Sequence, residues 1–115
     1  MEVIRTKQLD RGGAFMRKYG EERFEPQRFT LRCAEVERRG QWVDVYLDMQ
    51  LAEGEILPPG LTEPSVLAIC VPEGDVVQVV LLDEGLDCEF QLVPEEEAYV
   101  RAFVRDRCAA LVRGL

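Results

Sequence analysis

Between Arg28 and Leu51 apolar and polar residues alternate. Phe29, Leu31 and Cys33 are interleaved with Thr30, Arg32 and Ala34, and Val43, Val45, Leu47, Met49 and Leu51 with Trp42, Asp44, Tyr46, Asp48 and Gln50. A period of two belongs to strands with one buried face, and Arg39-Gly40-Gln41 between the runs predicts a hairpin. With a three-residue turn, Leu31 opposes Met49 and Cys33 opposes Leu47 on the inner face. On the outer face the same register sets Arg32 against Asp48 as an ion pair and Arg38 against Trp42 as a cation–π contact.

The alternation then stops. Residues 52–65, AEGEILPPGLTEPS, hold three prolines and two glycines and read as a loop. Val66 to Val71 and Asp75 to Leu82 follow, joined by Pro72-Glu73-Gly74 as a second hairpin. Both are apolar at nearly every position, which suits strands in the middle of a sheet or beneath a covering helix. Asp83-Glu84-Gly85 turns the chain into a further strand over Cys88 to Val93.

From Pro94 the period becomes helical. Proline in the first turn and Glu95-Glu96-Glu97 beside it suit a helix N-terminus. Tyr99/Val100, Phe103/Val104, Cys108, Leu111/Val112 and Leu115 recur on one face, with Arg101, Arg105 and Arg113 largely on the other. Residues 1–27 carry weaker signals. Val3, Ile4 and Leu9 suit a short strand, Gly12-Gly13 breaks it, and Ala14 to Tyr19 suit one or two helical turns. The expected fold is α+β: an antiparallel meander of about five strands, as an open sheet or a partly closed barrel, packed by a C-terminal amphipathic helix.

At 115 residues the chain has the size of one domain, with the N-terminal segment over 1–27, the sheet over 28–93 and the helix over 94–115. It is expected to fold alone or as a homodimer. MEVIRTKQLDRGG has no apolar run of the secretory kind, and no stretch approaches the ~20 apolar residues that span a bilayer, so a cytoplasmic protein is expected. Cys33, Cys70, Cys88 and Cys108 are too widely spaced for the usual zinc pairs and read as buried thiols in a reducing compartment.

Charge changes the picture most. Residues 41–97 carry fourteen Asp and Glu and no Lys or Arg, while both flanking segments are mildly basic; the net charge is −8. Such a surface repels nucleic acid and attracts a basic partner at low salt. Internal pairing of the acidic strands with the basic ends is the plainer alternative, the surplus then serving only solubility.

Candidate chemistry is sparse. The chain has no histidine, so Ser-His and Cys-His nucleophile pairs are excluded. Thr6, Thr30, Thr62 and Ser65 have no nucleophile-elbow or P-loop sequence around them. Asp44 and Asp48 share a strand face but lie roughly 13 Å apart at the strand rise, too far for a catalytic dyad. No cofactor or metal is expected. Gly12-Gly13 between Arg11 and Arg17 reads as flexible linkage before it reads as an anion loop.

The outer row Trp42, Asp44, Tyr46, Asp48 is the candidate partner-binding site, its aromatics supplying contact area and its carboxylates steering. Burial of Trp42 and Tyr46 under a second layer, built from the N-terminal segment, is the competing expectation.

The expected function is a non-catalytic acidic module that binds a basic protein, as an inhibitor, immunity-type or adaptor protein. A second reading comes from CEFQLVPEEEAYVRAFV, residues 88–104, which resembles the last strand and helix of the PilZ domain. That resemblance implies a barrel-shaped small-molecule sensor. It covers about the final quarter of the chain, and the arginine-rich motif and Asp/Asn-x-Ser-x-x-Gly that hold the family's cyclic dinucleotide do not occur here.

Overall fold

In the computed structural model, residues 17–18 and 28–115 are described. Seven strands precede the helix: β1 (Arg17–Lys18), β2 (Phe29–Arg39), β3 (Trp42–Leu51), β4 (Pro64–Cys70), β5 (Val76–Asp83), β6 (Leu86–Asp87) and β7 (Phe90–Gln91). Strands β2 to β6 form an open antiparallel sheet in sequence order, and β1 pairs separately with β7. The helix has three parts: α1 (Pro94–Phe103), a π-helical turn (Val104–Cys108) and α2 (Ala109–Arg113). The α+β meander with a C-terminal helix across it is the expected fold. Among the described residues no helix is long and apolar enough to cross a membrane.

The first hairpin departs from the expected register at one point. Leu31↔Met49, Arg32↔Asp48 and Cys33↔Leu47 pair as expected. A bulge at Ala34 then advances the register, so that Glu35 opposes Tyr46, Glu37 opposes Asp44 and Arg39 opposes Trp42. The turn is therefore two residues, Gly40-Gln41, with Gly40 at φ +63°, the positive φ that a type II′ hairpin places first. The expected Arg38–Trp42 contact does not form. Arg38 lies opposite Val43 instead, and its guanidinium donates to the Gly40 carbonyl and, from Nη1, to the Leu115 carbonyl at the helix C-terminus.

The core lies between the inner face of the sheet and the helix. Val43, Val45, Leu47, Val66, Ala68, Cys70 and Leu81 face Val100, Val104, Cys108 and Val112. These four helical residues recur every fourth position, and in a straight α-helix a four-residue repeat drifts by about 40° per step. The π turn unwinds that drift, which is how all four stay fully buried. At the helix N-terminus Glu96, itself buried, reaches back to accept a hydrogen bond from Val93 N–H at 2.8 Å.

Two expected elements differ. The strand over Cys88 to Val93 is broken: β6 leaves β5 after Asp87, and the Cys88 thiol turns inward to donate to the carbonyls of Leu81 and Phe90. Beyond it β7 pairs with Arg17–Lys18, which are therefore strand and not the expected helical turn. The expected strand over Val3 to Leu9 and the Gly12-Gly13 linkage lie outside the described residues. Of the cysteines, Cys70 and Cys108 are buried while Cys33 and Cys88 are half-buried, all as thiols.

Candidate functional site

Strand pairing extends the row on β3 into a face. Residues directly opposed across strands point the same way, so Glu35, Tyr46, Leu67 and Val80 form one transverse row of the outer face. The neighbouring row toward the loop end is Arg32, Asp48, Ser65, Leu82 and Asp87. On the other side lie Glu37, Asp44, Ile69 and Gln78, then Arg39 and Trp42. Trp42, Tyr46, Leu67, Ile69 and Val80 are all half-buried. The outer face thus carries a central apolar strip between rows of charge.

The four predicted residues stand together on this face but in unlike environments. Asp44 is only 3% exposed and is held by the Arg39 fork, Nε donating to Oδ2 at 2.6 Å and Nη2 to Oδ1 at 3.1 Å. That hydrogen bond and charge raise the Arg39 pKa. Burial, reinforced by the carboxylates of Asp44, Glu37 and Glu35, raises the Tyr46 phenol above its ordinary value. Asp48 is exposed and forms the expected ion pair with Arg32. Both predicted carboxylates are therefore matched by arginines, one of them out of solvent. Of residues 1–27, expected as cover for Trp42 and Tyr46, Arg17–Lys18 pair with β7 and the rest lie outside the described residues.

Unmatched charge collects elsewhere. Glu63, Glu84 and Asp87 are exposed around the β5–β6 turn, and among the described residues none of them is in an ion pair. Asp83, beside them, accepts from Glu63 N–H at 2.7 Å and from Thr62 N–H at 3.2 Å, and shares the Thr62 hydroxyl, 3.2 Å away, with Glu84 at 2.8 Å; these bonds, the Glu63 N–H first, hold the Asp83 pKa below the usual carboxylate range. Asp87 closes the Asp48 row, so the outer face ends in uncompensated carboxylate.

A cleft of about 700 Å3 opens between β5, the Cys88–Leu92 segment and the first turns of α1. Asp87, Glu97 and Arg101 stand at its rim; Arg101 is engaged by Glu97 at 3.0 Å and by the Val76 carbonyl at 2.9 Å. Sequence reasoning missed this cleft. Cys88, Phe90 and Leu92 alternate regularly with Glu89 and Gln91, so nothing local shows that the chain leaves β5 there. Among the described residues no group of three or more metal-ligating side chains is assembled. Comparison with known protein families, with curated proteins and with solved structures finds no match to this chain.

Proposed function

We propose that this chain is a non-catalytic protein-binding module, of the inhibitor, immunity or adaptor kind, whose outer sheet face engages a basic partner. The observation that carries the reading is the adjacency of two rows. Tyr46, Leu67 and Val80 offer half-exposed apolar area, and the next row ends in the unmatched Asp87, with Glu84 and Glu63 alongside. Apolar area beside same-sign charge suits a protein partner, the first giving affinity and the second attraction and orientation.

The chain's chemistry supports the non-catalytic part: it has no histidine, and Asp83 is held as the anion by its donors, the opposite of a proton-donating acid. Tyr46→Ala with Asp87→Lys tests the proposal. Loss of salt-sensitive association with a basic protein, at unchanged melting temperature, supports it; unchanged association refutes it.

A further inference from the structure

The edge of the sheet at β5 is unusual. Its sequence, VVQVVLL before Asp83, has no charge and no proline, although sheet edges are ordinarily blunted by lysine, proline or short length. Strand β6 covers only its last two residues, pairing Leu82 with Asp87 and Asp83 with Leu86. Val77, further along, is 47% exposed.

Which backbone groups are left at this edge follows from alternation. Glu84 N–H donates to Glu63 O on the β4 side, so the even residues Leu82 and Val80 turn their backbone groups toward β4, and Leu81 and Val79 turn theirs outward. Leu81 O accepts the Cys88 thiol and Val76 O accepts Arg101. Both ends of the edge are thereby tied down. Between them Val79 N–H, Val79 C=O and Leu81 N–H face away from β4, and among the described residues no strand is paired with them. These groups open onto the cleft whose far wall is α1.

We infer that the β5 edge is a strand-addition site, which takes up an extended, basic segment of the partner protein by pairing with the backbone of Val79. This deepens and rests on the proposed binding-module reading. An unpaired strand edge is complementary to another extended backbone and to little else. Glu97 at the rim is matched by Arg101, which leaves Asp87 as the uncompensated charge, and it favours lysine or arginine in that segment.

The test uses the full chain and the peptide acetyl-Lys-Val-Lys-Val-Lys-Val-amide, with a copy N-methylated at alternate residues. Amide hydrogen exchange is followed by NMR. The Val79 amide is expected to exchange rapidly in the isolated protein, in contrast to Val80, and to slow about tenfold or more with saturating peptide. N-methylation should weaken binding about tenfold or more, since it removes the donors that a strand needs. Val79→Pro, which removes the outward N–H, should abolish binding. Should that variant fail to fold, the N-methylated peptide decides on the native protein.

Equal binding of the two peptides, or no change at Val79, overturns the inference. So does a Val79 amide already protected without peptide: independence of concentration would then show the chain's own N-terminal residues on the edge, and dependence on it a second copy. Salt-sensitive association that survives Val79→Pro yet is lost in Tyr46→Ala/Asp87→Lys would sink the strand-addition site alone and leave the module reading standing.

Discussion

Arg39 and Asp44 clasp each other across the first hairpin turn through two hydrogen bonds, and this fork keeps a carboxylate in a place that is 3% exposed. The guanidinium itself is about half in water, so the partners are unequally dependent. Removing the arginine strands a buried charge, whereas removing both ends together strands nothing. Arg39→Ala should lower the urea midpoint clearly more than Arg32→Ala, whose pair with Asp48 is exposed on both sides. Arg39→Met with Asp44→Leu should recover most of the loss. A loss for Arg39→Ala no larger than for Arg32→Ala would show that Asp44 does not depend on the fork.

The helix is held by the residues its π turn keeps aligned. Val104→Ala empties a fully buried position and should destabilise by about 2 kcal/mol, the cost of the lost methyl groups plus part of the cavity. Leu111→Ala, at a position more than half exposed, should stay within about 0.5 kcal/mol. Urea unfolding of the two variants checks the ranking; equal losses would contradict the burial pattern of the helix.

Acid sensitivity should map to Asp83. Its donors lower the folded-state pKa below the ordinary 3.8, so the stabilisation is complete above the unfolded value and is lost as pH falls through the folded one. Unfolding measured from pH 7 down to pH 2 should show Asp83→Asn less stable than the native protein above about pH 4, with the difference narrowing below it. A gap of constant size across that range would mean that the anion is not the favoured form.

The thiols should react in order of exposure. Burial, with Cys33 beside it, pushes Cys108 up to about 12, leaving about one thiolate in ten thousand at pH 8. Iodoacetamide at that pH should leave Cys108 unmodified in the folded protein and label it in urea, as peptide mass mapping would show. Prompt labelling of Cys108 in the native state would contradict its burial on the core face of the helix.

Much of this was legible from alternation and spacing. The inner face of the first hairpin up to Cys33, the Arg32–Asp48 pair and the helix from Pro94 follow from local periodicity, while the loop expected over 52–65 ends at Glu63, because Pro64 and Ser65 already pair in β4. The Ala34 bulge was not legible, because alanine reads on either face and so hides the change of phase between Cys33 and Val36. That single residue moved Arg39, and not Arg38, opposite Trp42 and placed it within reach of Asp44. Period alone also treats VVQVVLL as interior. Its exposure at the edge depends on where β6 departs, at Cys88, whose thiol turns to the Leu81 and Phe90 carbonyls, a contact with no local sequence signature. The row on β3 was read correctly as one face, but the match of its carboxylates to arginines required the tertiary register.

The central claim is that unmatched acid beside an apolar strip on the outer face recruits a basic protein. Its most direct test is retention from native lysate on the tagged full chain, washed at about 50 mM and then about 500 mM salt, in parallel with Tyr46→Ala/Asp87→Lys. The account predicts a basic protein held at low salt, released at high salt and absent from the variant. Retention that ignores both salt and the substitutions, or no specific retention at all, would contradict it.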